Sequence, residues 1–350
     1  MKDTQKKKNF FKRHPMMMSF IIVLLIGLLT LGTLKFYQIK NDLDGDFVIG
    51  NAEQFLNHGA RPSPNYYDES YKGRAFNIVI IGTDRGTTGS GNQQSATGRR
   101  SDTTIIAHVS ADRKNVDMVS IPRDSMVEFP SCALSNGQYT QARDLEMFNA
   151  AFSQGDTIDS SIACTIATIE KNTGVFIDGY AVADYDSFKT IIDAMGGVDI
   201  TVNERMVASG ADLDIEAGTH RLNGKEALAF ARARKFQVGG GDGSDLQRIG
   251  RQQYLMKAMV ERATSPEIIS NPEKSLNILS TVISSMTVND NLGSVSKVAP
   301  IAMELKDAKI NFHTVPVEPW AYDNNRVVWS EGSDQYWNDI INDTPISAES

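Results

Sequence analysis

"FNIVIIGTD" at residues 76–84, "RRSDTTIIAHVS" at 99–110 and "NVDMVSIPRDS" at 115–125 decide the fold. Each is a short apolar run with turn-forming residues at its edge, the pattern of a strand buried on both faces. The first closes on glycine and aspartate, and Pro122 stops the third. Helical patterns follow in "MFNAAFSQG" (147–155) and "SSIACTIATIEKNTG" (160–174), then a strand in "GYAVADY" (179–185). "YDSFKTIIDAMGG" (185–197) reads as a helix and "VDITVN" (198–203) as a strand. Two helices come next: "NGKEALAFARAR" (223–234), and a long one from near Asp245 through "LQRIGRQQYLMKAMVERA" (246–263). The tail adds helices around 273–287 and 293–305, the strand "KINFHTV" (309–315) and a short final helix. Strands alternating with helices predict a single layered α/β/α domain with a central mixed sheet.

An apolar content of 41% and a charged content of 22% suit a globular chain, so disorder is not the default. His14, His58, His108, His220 and His313 are scattered, and no HExxH or CxxC appears, which argues against a zinc site. There is no GxSxG elbow and no Walker-type loop.

The N-terminus carries a different signal. Lys2, Lys6, Lys7, Lys8, Lys12 and Arg13 precede a charge-free apolar stretch from Met16 to Leu34. That is close to the ~20 residues a helix needs to cross a bilayer. A cleaved signal peptide would end in a small-residue site, and "LGTLKFYQIKNDLDG" offers none. The expected organisation is a cytoplasmic basic tail (1–15), a transmembrane signal anchor (16–36), an extracytoplasmic stalk (37–75) and a catalytic domain (76–345). Residues 1–40 hold eight of the 35 Lys/Arg and one of the 43 Asp/Glu. The remainder therefore has 27 bases against 42 acids, a net of −15, which argues against nucleic acid as a partner.

Against that acidic field, Arg/Asp pairs gather at strand ends. Asp84 follows the first strand, Arg100 and Asp102 open the second, and Arg123 and Asp124 follow the third. Ligands of α/β sheets sit outside the carboxyl ends of strands. A turn former is the plainer reading of each residue alone. Together with "ARARKFQVGGGDGSDLQRIGRQQ" (231–253) they point to a pyrophosphate or phosphodiester. Arginine donates a fixed bidentate fork to phosphate, and carboxylates set among arginines suit Mg²⁺. Asp245, Arg248 and Gln252 share one helix face by spacing. Arg232 and Arg234 face one site only if the helix has ended there. Arg251 is expected to pair with acids on a solvated face.

Six ordered motifs carry a resemblance: "FNIVIIGTD", "RSDTTIIAHVS", "VSIPRDS", "TGVFIDGYAVADYDSFKTIIDAMGGVDITV", "GTHRLNGKEALAFARAR" and "DLQRIGRQQ". In this order they resemble the LytR–CpsA–Psr family of membrane-anchored bacterial proteins, strongly over about residues 76–265. The resemblance implies transfer of a glycopolymer from an undecaprenyl-pyrophosphate carrier to a peptidoglycan acceptor, with Mg²⁺ and with pyrophosphatase side activity. It implies Asp84 and Asp102 as metal-associated aspartates. Arg100, Arg123, Arg232, Arg234 and Arg248 correspond to pyrophosphate-binding arginines, and Asp245 and Gln252 to the acidic and amide positions of the last motif. One departure stands out: many members have lysine two residues before the asparagine that is Asn149 here, and this chain has Met147.

Phosphoryl transfer asks a protein mainly for positioning and charge neutralisation. The acceptor hydroxyl must lose a proton, and Asp84, Asp102 and Asp245 are the candidates. Apolar stretches "FKTIIDAM", "ALAFA" and "YLMKAMV" are either walls of a lipid channel or ordinary core. Two other functions stay open: a non-catalytic polyprenyl-phosphate or wall-polymer tether, and a membrane-bound transcriptional regulator. Finally, Cys132 and Cys164 have no third partner and lie in an oxidising compartment on this topology, so a bridge between them is expected.

Overall fold

Seven strands build the central sheet of the computed structural model: β1 (Val48–Ile49), β2 (Phe76–Thr83), β3 (Ser101–Val109), β4 (Asn115–Ile121), β5 (Gly179–Ala183), β6 (Thr287–Val288) and β7 (Lys309–Thr314). Their spatial order is β1-β6-β5-β2-β3-β4-β7. The structure describes residues 47–57, 61–62, 71, 73–83, 100–233, 238–239, 245–305 and 307–346, without the side chains of 245–249 and 269. Pairs β2/β3, β3/β4 and β5/β6 are antiparallel, whereas β1/β6, β2/β5 and β4/β7 are parallel. The sheet is mixed, as expected. By this pairing β2, β4, β5 and β7 all run one way, and their carboxyl ends meet the start of β3 at one edge.

Helices α1 (Ile158–Thr173), α2 (Tyr185–Ala194), α3 (Gly224–Arg232), α4 (Asp245–Ala263), α5 (Pro272–Ser285), α6 (Val295–Glu304) and α7 (Gly332–Ile341) alternate with the strands. Strand alternation sends Val79, Ile81, Ile106, Val119, Ile121, Tyr180 and Val182 to one face. There they pack on Ile162, Ile166 and Ile169 of α1 and on Tyr336, Trp337 and Ile340 of α7. Thr157 and Ser160 form the capping box that starts α1, and Gly174, at φ 68°, closes it in a conformation that favours glycine. The other face presents Thr103, Ile105 and Ser120 toward α4.

Two expectations change. Val198–Val202 is a strand, but among the described residues it pairs only with Gly218–Leu222 and stays outside the central sheet. This ladder and helices α2, α3 and α4 bury Ile192, Ile200, Leu222, Phe230 and Leu255 in a second core. Of the apolar stretches weighed as lipid walls or core, Ile191, Ile192, Ala227, Phe230 and Leu255 thus supply core packing. Second, part of the segment read as a stalk (37–75) belongs to the fold: β1 pairs with β6, and Ala52 and Leu56 are buried in the first core. The helical pattern "MFNAAFSQG" is a 3-10 helix, Phe148–Gln154.

Cys132 and Cys164 are disulfide-bonded, with Cα atoms 5.5 Å apart, as expected. The expected membrane anchor at 16–36 lies outside the described residues. Among those described, no helix is long and apolar enough to cross a membrane.

Candidate active site

Strand register produces the first feature of the site. Gly82 lies opposite Thr103 and Thr83 opposite Ser101, so Asp102 is the extra residue of a β-bulge. Bulges re-aim a side chain and are frequent beside active sites. Across from it, β4 ends at Ile121, and Pro122 offers no N–H to continue a ladder. Ser125 N donates to Pro122 O at 3.1 Å, closing a turn that carries Arg123. Arg123 Nη1 then donates to Asp102 Oδ1 at 3.1 Å, and its Nε to Asp124 Oδ2 at 3.3 Å. The pair is partly shielded, with side-chain exposures of 17% for Arg123 and 29% for Asp102. The Arg123 carbonyl accepts from Asn149 N at 3.0 Å, which ties this turn to the 3-10 helix.

Helix α4 closes the pocket. Its Gln252, Gln253 and Met256 line one pocket with Asp102, Thr103, Ser120 and Arg123. Gln253 Nε2 donates to Thr314 Oγ1 at 2.7 Å, pinning α4 to the end of β7. The Tyr254 hydroxyl accepts from Thr201 N at 3.0 Å, and Leu255 and Ala258 are buried. Arg251 corrects its expectation of a solvated face. It is half-buried, burial lowers its pKa, and Nη2 donates to Ala233 O at 2.6 Å. That bond joins α4 to the end of α3.

Arg232 is the last residue of α3, and Ala233 leaves the helix with φ −57° and ψ 126°. The helix has thus ended at the arginine pair, the condition set by the spacing. The Arg232 guanidinium lies 4.7 Å from the Tyr185 ring centre, within cation–π range. Tyr185 opens α2 just beyond β5, so Arg232 stands at the same edge of the sheet as Arg123. Arg100 is exposed immediately before β3. Asp84 and Arg234 lie outside the described residues. Asp245 and Arg248 fall on α4, as expected for a helix, but their side chains lie outside the description. Met147 lies opposite Met126 in a short hairpin, so an apolar pair occupies the position where a family lysine was expected.

Thr104, Ser120, Gln253, Met256 and Tyr185 were missed by sequence reasoning. Gln253 had a signal, since it adjoins Gln252. The others become visible only when register and helix docking are known.

Buried polar atoms without a hydrogen-bond partner among the described residues include Ser101 Oγ, Thr104 Oγ1, Ser125 Oγ and Asn149 Oδ1. All four belong to segments flanking Asp102 and Arg123. Among the described residues no three acidic, His or Cys groups converge. Mg²⁺ takes one or two carboxylates and completes its shell with phosphate oxygens and water. Asp102 fits such a substrate-bridged ion.

The carboxyl edge of the α/β sheet gathers Arg123, a bulged Asp102 and the side chains of Gln252 and Gln253, groups suited to an anion. The chain belongs to the LytR_cpsA_psr family, whose profile matches residues 51–342. It is 30% identical over 234 residues to "Probable cell wall biosynthesis protein LcpB" of Corynebacterium glutamicum, covering 66% of this chain and 51% of that one. It is 28% identical over 273 residues to the polyisoprenyl-teichoic acid–peptidoglycan teichoic acid transferase TagV of Bacillus subtilis, covering 76% of this chain and 61% of that one. This chain thus spans between half and two thirds of the length of those relatives. The solved structure of Bacillus subtilis TagT bound to LI-WTA shares the fold, with a TM-score of 0.57 at 20% identity, over 83% of this chain and 98% of that one.

Proposed function

We propose that this protein transfers a glycopolymer from an undecaprenyl-pyrophosphate carrier to a peptidoglycan hydroxyl. The observation that carries the reading is the pocket where Asp102, Arg123 and Gln252 meet at the carboxyl edge of the sheet. Membership of the family, and relatives named as teichoic acid transferases, support it.

The acceptor hydroxyl oxygen bonds to the phosphorus attached to the glycopolymer. The bond from that phosphorus to the bridging oxygen breaks, and undecaprenyl phosphate leaves with the electron pair. The product is a phosphodiester. Arg123 and Arg232 hold the phosphate oxygens and neutralise charge that grows as the bridge breaks. Of the candidate bases Asp84, Asp102 and Asp245, Asp102, on its bulge beside Arg123, is the one proposed to accept the hydroxyl proton. Arg100, Arg234 and Arg248 are proposed as further phosphate contacts, and Asp245 and Gln252 as the orienting groups of α4. Mg²⁺, held by Asp102 and Asp84, would supply Lewis-acid stabilisation of the phosphate oxygens. Water in place of the sugar hydroxyl gives the proposed pyrophosphatase side activity.

The proposal includes a single-pass anchor at 16–36 with the domain outside the cell membrane, resting on the basic flank and apolar run of the sequence. The test is direct: full chain in detergent, purified lipid-linked oligosaccharide and peptidoglycan fragments, with the joined product identified by mass spectrometry. Absence of a phosphodiester-linked product, with the carrier intact, refutes the reading.

A further inference from the structure

A hairpin next to the Arg123 turn carries an aromatic pair, half-buried Trp320 and exposed Tyr322. Val315 N donates to Ser120 O at 3.0 Å as the chain leaves β7, so the next segment starts at the site edge of the sheet. That segment is a hairpin, Val317–Trp320 paired with Asp323–Trp329. Its return strand is held at the site: Val327 N donates to Asp124 O at 3.2 Å and bridges Ser125. Asp124 is the residue whose carboxylate takes the Arg123 Nε. Pro319 lies opposite Val327, and Trp320 is the next residue, so the tip projects directly from the segment fastened to the Arg123 turn.

At this tip the Trp320 and Tyr322 rings stand 5.2 Å apart, tilted by 59°. Tyr322 is 86% exposed. Polar groups border the rings: Glu318, Asn324 and Asn325 are exposed, and Asp323 accepts from Asn325 Nδ2 at 3.0 Å. Apolar ring faces with carboxylates and amides at their margin suit a sugar, whose C–H face stacks while its hydroxyls hydrogen-bond. Residues 318–326 hold two acids and one arginine, a charge that anionic lipid would not attract.

We propose that Trp320 and Tyr322 form a sugar subsite for the glycan strand of the acceptor, which they hold beside the Arg123 pocket. This rests on the transfer reading above, and deepens it by naming where the acceptor is gripped. The experiment measures acceptor and donor KM separately, using full chain in detergent and soluble glycan strands of two or more disaccharides. Trp320→Ala and Tyr322→Ala should raise acceptor KM by about three- to tenfold, the loss of one aromatic contact. Donor KM and kcat should stay within about twofold of the parent, while Tyr322→Phe, which keeps the ring face, should retain the parent acceptor KM. Parental acceptor KM in both alanine variants overturns the subsite and leaves the transfer reading standing. If the parent transfers nothing, the transfer reading fails, and glycan binding followed by tryptophan fluorescence decides the subsite. Binding weakened by Tyr322→Ala supports it, and equal binding overturns it. Loss of binding to phosphatidylglycerol vesicles, with glycan binding intact, also overturns it.

Discussion

Reducing the Cys132–Cys164 bridge gives a perturbation whose size follows from the structure. The bridge closes a loop with a sequence separation of 32. In the chain-entropy account, a closed loop of that length restricts the unfolded chain by about 3.7 kcal/mol at 25 °C. A folded region of roughly 300 residues unfolds with an entropy of about 0.6 kcal/mol/K, so the melting temperature should fall by about 6 °C. The enclosed loop contains the 3-10 helix whose Asn149 N bonds Arg123 O at 3.0 Å and whose Phe148 N bonds Ser125 O at 2.8 Å. Loosening it frees the turn that carries Arg123, and transfer should fall at temperatures where the fold is intact. The assay compares the melting curve and transfer rate of full chain with and without reductant, beside the Cys132→Ser/Cys164→Ser double variant. Melting points within 1 °C of one another, or two titratable thiols in oxidatively produced protein, refute the reasoning.

Buried Asp117 predicts acid sensitivity: burial pushes its carboxyl up, but hydrogen bonds at 2.9 Å from His313 and Asn311 bring it net below its ordinary 3.8. A depressed carboxyl stabilises fully above the unfolded value and loses that share as pH falls through the folded one. Melting temperature should therefore drop on acidification below pH 3.8, and Asp117→Asn should flatten that part of the profile. An unaltered profile in the variant would assign the loss to other carboxylates. Chelation should abolish transfer, and Asp102→Asn should slow transfer and raise the metal concentration needed while leaving melting unchanged; full activity in chelator rejects the metal. A reporter active only outside the cytoplasm, fused after Ser350, should be active, whereas signal from a cytoplasm-only reporter removes the anchor and the transfer reading together.

Local signals carried much of the fold. The apolar runs ending at Thr83, Val109 and Ile121 bounded β2, β3 and β4, and the helix from Asp245 followed its spacing. Arg123 and Asp102 were recognisable because arginine and aspartate at strand ends repeat a chemical pattern. What stayed hidden was non-local. The pairing of Val48–Ile49 with Thr287–Val288 joins two-residue strands far apart in sequence, too short for any periodicity. The bulge at Asp102 depends on register against β2, which composition does not encode. Val198–Val202 alternates like a sheet strand, and only the return of Gly218–Leu222 shows that it pairs elsewhere. Arg251 looked solvated because its partner, the Ala233 carbonyl, belongs to another helix end.

The central claim is that Arg123 serves phosphate at the carboxyl edge of the sheet, and one measurement addresses it. Single-turnover transfer from lipid-linked oligosaccharide to peptidoglycan fragments is timed for the parent chain, Arg123→Ala and Arg123→Lys. Loss of one charge-assisted donor should slow Arg123→Ala by about 10²–10³, with lysine recovering only part because a point charge lacks the fork. Parental rates in the alanine variant would show that Arg123 only neutralises Asp102 and Asp124, and would contradict the account.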